Sequence, residues 1–289
     1  MKTIRVSVFV ALCFVAGLAV ASGQEILLGT TGGPSPGELY SIDPNTGSAT
    51  AIGALVDASA NTYSVTGLAF DSLTGILYGA TSSNSPYGAQ SLVSIDPLTG
   101  FVTFVGSFTT GSMGDLTFDS TTGTLYGARP TNGDLFSIDT TTGVATNVGS
   151  SGLSNIRGAG LAASSGGGIF GAPKGAPGDL VIYNKSNGSV TPIAPFSGAP
   201  FPNGSIGALA FKASGTLYGL NTNQNDVARP ADLVTINIAT GEITNVGQSV
   251  NYLDAIAFVT VPEPATLSLL GLGGLGSIGL TILRSRKNR

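Results

Sequence analysis

Four short patterns return five times along this chain, and a repeat of that kind constrains the fold more than any other feature, because each unit must bury its apolar face against the next. The first pattern is of the type Gly-Leu-Ala-Phe, as in Leu68-Ala69-Phe70, Leu116-Thr117-Phe118, Leu161-Ala162-Ala163, Leu209-Ala210-Phe211 and Ile256-Ala257-Phe258. The second is apolar-aromatic-Gly, as in Leu77-Tyr78-Gly79, Leu125-Tyr126-Gly127, Ile169-Phe170-Gly171 and Leu217-Tyr218-Gly219, with Leu27-Leu28-Gly29 as its first copy. The third occupies 39–43, 92–96, 135–139, 180–184 and 233–237. In the fourth, a glycine (Gly47, Gly100, Gly143, Gly188, Gly241) is followed three residues on by threonine each time (Thr50, Thr103, Thr146, Thr191, Thr244).

Each run is short, apolar and bounded by Gly, Asp, Asn and Thr, which reads as a strand, so the unit is four antiparallel strands in 43 to 53 residues. That period and strand count belong to the blade of a β-propeller. The ends are out of phase in a complementary way. The chain enters its body on a second strand (26–29) that lacks an inner neighbour, and leaves it on an inner strand (254–259) with nothing after it. Pairing the two closes five blades into a ring and removes both exposed edges. The predicted fold is therefore an all-β, five-bladed propeller over 24–260. Pro192 falls in a fourth, outermost strand, where a missing N–H costs least. Tyr78, Tyr126 and Tyr218 sit at a fixed place in the repeat, which assigns them to packing between blades rather than to ligand stacking.

Strand parity sorts the connections onto two faces. One carries near-identical tight turns, such as Asp71-Ser72-Leu73-Thr74-Gly75 and Asp43-Pro44-Asn45-Thr46-Gly47, where Asp bonds the backbone and Gly takes positive φ. Each turn has too few carboxylates for calcium. The other face carries the long, dissimilar connections 54–66, 81–90, 107–114, 129–134, 150–158, 174–179, 195–205, 221–232 and 248–254. Binding residues gather on such loops over a rigid scaffold. Near the mouth of the central channel the candidates for ligand binding are Asp115 and Asp254 at inner-strand starts, with Arg129, Arg157, Arg229, Tyr63 and Tyr252 around them. The chain leaves the disc on the turn side, so the loops are expected to point away from whatever anchors its C-terminus.

The inventory of side chains narrows the chemistry. There is no histidine, and the single cysteine, Cys13, lies in an apolar run near the start, so the body has no disulfide and no thiolate or imidazole metal site. No catalytic set, metal or cofactor is assigned. The body, 24–261, holds six Lys or Arg against fifteen Asp or Glu, a balance of −9, which repels nucleic acid.

Both ends read as targeting segments. Lys2 and Arg5 precede an apolar run over 6–20, and Ala19-Val20-Ala21 offers small residues to signal peptidase, giving a signal peptide over 1–21 with cleavage at 21–23. At the other end 265–283 is free of charge, 19 residues or about 28 Å as a helix, against a hydrocarbon core of roughly 30 Å. The basic stop Arg284, Arg286, Lys287 and Arg289 follows in 284–289, which places the C-terminus in the cytoplasm and the body outside. The order Val261-Pro262-Glu263-Pro264, apolar helix, basic tail, over 261–289, resembles the PEP-CTERM sorting domain, also known as the VPEP or "ice-binding protein C-terminal" domain. The resemblance implies an exosortase substrate of a Gram-negative cell that makes extracellular polysaccharide. The precursor would be held in the inner membrane by its C-terminal helix, its body in the periplasm, and would pass after processing to the cell surface or matrix.

Within that frame the expected function is a non-catalytic scaffold that binds polysaccharide or another surface component through the loop face. Two alternatives predict different observations. A secreted polysaccharide hydrolase or lyase needs two carboxyl groups roughly 5 to 10 Å apart in the channel. A structural coat protein needs only self-association.

Overall fold

The computed structural model describes residues 23–32, 37–153, 160–173, 178–201, 204–223 and 226–261. The expected signal peptide, transmembrane run and basic stop lie outside them, as do Pro262, Glu263, Pro264 and Arg157; among the described residues no helix is long and apolar enough to cross a membrane. The compact body spans Glu25–Thr260.

The body is built of strands β1 (Gln24–Thr31), β2 (Glu38–Ile42) and β3 (Ala49–Ala54); β4 (Val65–Asp71), β5 (Ile76–Thr81), β6 (Ser91–Ile95) and β7 (Val102–Ser107); β8 (Asp115–Asp119), β9 (Thr124–Ala128), β10 (Leu135–Ile138) and β11 (Ala145–Gly149); β12 (Gly160–Ala163), β13 (Ile169–Ala172), β14 (Asp179–Tyr183) and β15 (Val190–Pro195); β16 (Ser205–Phe211), β17 (Leu217–Thr222), β18 (Ala231–Ile236) and β19 (Ile243–Gln248); and β20 (Leu253–Val261). They form five four-stranded sheets, and the first has the order β20-β1-β2-β3. The propeller is thus closed as the phase of the repeat requires, the last strand of the chain supplying the inner strand of the first blade. Pro192 lies in β15, the outer strand of the fourth blade.

Core clusters lie between blades. Tyr78, Leu92 and Ala69 of the second blade pack with Leu116, Leu125 and Phe136 of the third. Tyr126 and Leu135 of the third pack with Leu161, Val181 and Tyr183 of the fourth. Tyr218 of the fifth meets Phe258 of β20 edge to face at 5.3 Å, so an aromatic pair seals the junction between the two ends of the chain. Each fully buried Leu in such a seam stabilises the ring by roughly 1.5–3 kcal/mol. All three repeat tyrosines are buried, with no ring face left for a ligand.

At the rim the contact changes from side chain to backbone. In every blade the pairing of the third and fourth strands slips by one residue, so that Ile52, Val105, Val148, Ile193 and Val246 are bulged out just before Gly53, Gly106, Gly149, Ala194 and Gly247. A bulge bends its strand and tightens the local twist. Strand parity places the 3–4 turns on one face, yet each turn meets the far end of the preceding blade's outer strand. A Cβ on Gly143 would lie 2.6 Å from the Gly106 carbonyl carbon, one on Gly188 2.4 Å from the Gly149 oxygen, and one on Gly47 2.4 Å from the Gly247 oxygen. The turn glycines therefore answer two demands at once, positive φ and the close approach of a neighbouring backbone. Where the described chain leaves an outer strand it bonds to the next, through Val102 N–H to Val56 O, Ala145 N–H to Phe108 O and Ile243 N–H to Ser197 O. The outer strands thus run head to tail round the disc.

The turns themselves follow the sequence. Asp43 accepts from the backbone of Asn45 and the hydroxyl of Thr46, which holds its carboxyl below the ordinary value, and Gly47 closes the turn. Asp119 is held more firmly. Burial alone would raise its pKa, but hydrogen bonds from Lys185 at 2.7 Å and from Thr121 and Thr122 bring it down to about 2. That ion pair joins the third blade to the fourth.

Gly106→Ala tests the rim contact, since its Cβ would fall 1.8 Å from the Thr142 oxygen. The expected cost is about 1–3 kcal/mol of overpacking. Calorimetry should show Tm lowered by several degrees. Gly166→Ala, whose Cβ would meet nothing within 4 Å, should leave Tm where it was.

Candidate functional site

The five inner strands line the axis, and at the position before Leu-Ala-Phe they carry Gly67, Asp115, Gly160, Ala208 and Ala255. Four of these are small and one is charged. Asp115 is fully buried. Its Oδ1 accepts from Leu116 N–H at 2.9 Å, its Oδ2 from Leu161 N–H at 2.9 Å and Leu209 N–H at 3.4 Å, and Leu68 N–H donates as well. One carboxyl group therefore joins the inner strands of four blades. Burial pushes its pKa well above the ordinary carboxylate value, and the converging N–H groups oppose that rise. The small residues make room for it: a Cβ on Gly67 would lie 2.7 Å from Asp115 Cα. Thr117 adds a second tie, its hydroxyl accepting from Ala163 N–H at 2.7 Å.

Asp115 divides the channel. On the turn side, the Leu-Ala-Phe triplets of all five inner strands enclose about 90 Å³. On the loop side lies a larger cavity of about 340 Å³, ringed one residue earlier in the same strands by Thr66, Gly114, Gly207 and Asp254. The remaining wall comes from the long connections, through Ser82, Ser83 and Ala89, Ser112 and Met113, Pro130, and Arg229. Connections that look unrelated in sequence thus converge on one space.

Asp254 is the cavity's carboxylate. Burial raises its pKa to about 6, and the nearby Arg229 guanidinium pulls it the other way. Gly32 leaves it room, since a Cβ there would sit 2.2 Å from Asp254 Oδ2. Arg229 and Tyr252 both have left-handed backbones, with φ of 43° and 61°. A non-glycine residue held so costs roughly 1–3 kcal/mol and persists only where its surroundings fix it. Here they do: Tyr252 N–H donates to Arg229 O at 3.0 Å, and the Tyr252 hydroxyl to Val227 O at 2.6 Å. Tyr252 thereby clamps the loop that presents Arg229.

The other sequence candidates sit apart. Tyr63 is buried, and its hydroxyl donates to Asp57 at 3.0 Å; burial, and then that bond, raise its pKa. It fastens the 54–66 connection from beneath. Arg129 stacks its guanidinium 4.8 Å above the Phe136 ring and donates to Thr110 O, next to Pro130 of the cavity wall. Among the described residues no group of three or more His, Cys, Asp or Glu could hold a metal ion. The hydroxyls of the wall, Ser82, Ser83, Ser112 and Thr66, had no signal of their own in a chain so rich in serine and threonine. Asp115 did have one, as the sole charge at its repeat position.

Comparison with known proteins adds the tail and the fold. Residues 260–287 match the family described as the PEP-CTERM protein-sorting motif. Such a motif implies export, processing by exosortase and a cell-surface or extracellular destination. No curated protein matches the chain in sequence. A chain from the crystal structure of a nidogen/laminin complex superposes with a TM-score of 0.53 at 12% identity, covering 82% of this chain and 98% of its own. A structural-genomics protein of unknown function from Bacteroides thetaiotaomicron VPI-5482 gives 0.46 at 16% identity, covering 65% and 52%. At such identities the first likeness shows the propeller fold alone, and a fold of this kind hosts unrelated functions.

Two variants test this arrangement. Asp115→Ala orphans buried N–H groups at about 1–3 kcal/mol each. Its Tm should fall by well over the loss in Gly106→Ala, with Asp115→Asn in between. For Asp254 the folded pKa of about 6 lies above the unfolded 3.8, so the native state holds the proton more tightly. The stability that Asp254 contributes should then decline as pH rises from about 4 to 6 and level off above. In Asp254→Asn that contribution to the decline should vanish, leaving the variant more stable than wild type by about 1–3 kcal/mol at pH 7.5 and equal to it near pH 4, as read from paired melts.

Proposed function

We propose that the protein is a cell-surface or extracellular-matrix component whose propeller binds polysaccharide, or another surface component, without acting on it. The observation that supports this reading is the convergence of the long connections and inner-strand starts on the loop-side cavity, while the glycines of the 3–4 turns pack against the backbone of the neighbouring blade. In this reading signal peptidase removes 1–21, and the segment 265–283 holds the precursor in the inner membrane, body in the periplasm. Exosortase then acts at Pro262-Glu263-Pro264, which follows β20 directly in sequence.

One observation favours the rival reading of a hydrolase or lyase. A carboxyl group with a pKa of about 6 in a cavity has the proton affinity of a general acid. Its expected partner, Asp115, spends its oxygens on main-chain N–H groups. Residues 24–261 contain every described strand and seam and close on themselves, so they serve as the soluble body for a test. Incubated with the producing cell's extracellular polysaccharide, that body should be retained on the polymer and leave its chain length unchanged. Shortening that disappears in Asp254→Asn would make the protein an enzyme.

A further inference from the structure

The loop-side cavity has a floor. Directly beneath its ring of Thr66, Gly114, Gly207 and Asp254 lie Asp115 and the small residues of the next layer, with the carboxyl group bonded across the axis to the main chain of four blades. Nothing that enters from the loop side can continue through the disc. At about 340 Å³ the space is near the lower end of ligand sites, which run from roughly 300 to 1,000 Å³. A site that is both blind and this small accepts the end of a chain, a side branch or a free unit, and has no path for a chain that enters and leaves.

The lining specifies the chemistry of what enters. Asp254 supplies acceptors and Arg229 donors, side by side and with charges that offset one another, so a ligand of either net charge gains little. Ser82, Ser83 and Ser112 both donate and accept. Met113, Ala89 and Pro130 provide apolar wall, and among the described residues no aromatic ring lines the space, which removes the stacking surface that a nucleobase needs. Adjacent donor and acceptor groups beside hydroxyls and a C–H surface match a ring bearing several hydroxyl groups. On these grounds, and resting on the binding role proposed above, we infer that the cavity recognises a single uncharged sugar ring at the end of a glycan chain or branch. Asp254 accepts from one ring hydroxyl, and Arg229 donates to its neighbour.

The test uses the soluble body, the extracellular polysaccharide and a panel of neutral methyl glycosides as probes. Saturation-transfer NMR should show at least one glycoside bound, in the roughly millimolar range expected of so small a ligand. The same glycoside should compete for the polymer. Asp254→Asn and Arg229→Gln should each weaken glycoside binding at least tenfold. Ser83→Trp, a substitution at an exposed position on the cavity wall, should abolish it with Tm unchanged, which keeps the test decisive where Arg229→Gln unfolds. Polymer retention that no glycoside competes for and that Ser83→Trp leaves intact overturns this inference while the loop-face reading stands. Absence of both polymer retention and glycoside binding overturns both.

Discussion

Everything in this molecule depends on how closely the backbone of one blade can approach that of the next. Near the axis the approach is set by side chains, Leu and Tyr from one sheet against Ala, Val and Leu from its neighbour. At the rim the contact is made by backbone, with Ala194 the one side chain among Gly53, Gly106, Gly149 and Gly247, and a turn glycine lies against the end of the preceding outer strand at distances a methyl group would block. A bulge at the same register in every blade delivers the strand to that contact. The number of blades follows from a fixed angle between neighbours, and the angle follows from this pair of contacts, one inside and one outside.

Much of this was legible because repetition amplifies weak signals. A single Leu-Tyr-Gly or Asp-x-x-Thr-Gly says little, but five copies in phase give strand number, closure and the fate of the repeat tyrosines. The rim escaped the same reading for a physical reason. Gly53, Gly106, Gly149 and Gly247 read as ordinary glycines in short strands, and the bulge that precedes them is a matter of hydrogen-bond register that no residue type announces. Parity, which treats strands as straight, could not foresee that twist carries each 3–4 turn to its neighbour's far end.

The site shows the complementary lesson. Asp115 and Asp254 stand one layer apart on the axis, and residue type alone gave them equal standing. The structure separates them by what surrounds each. Asp115 is enclosed by inner-strand N–H groups and serves to bind the ring together, while Asp254 faces open space beside Arg229. Tyr63 and Tyr252 likewise support loops, one from below by way of Asp57 and one by a strained clamp on residues 227–229. Side-chain identity located the connections that line the cavity better than the atoms that face it, because orientation depends on backbone torsions such as those of Arg229 and Tyr252 that lie outside ordinary preference.

The strand that closes the ring is also the last of the body to be made. Until β20 arrives, β1 has no inner neighbour, and the first blade is a three-stranded sheet with a bare edge. Pairing the two ends means closing a loop of the whole body at once, an entropic cost paid only after every other blade is present. The body remains an unfinished arc until its final strand is made, and only then becomes a disc.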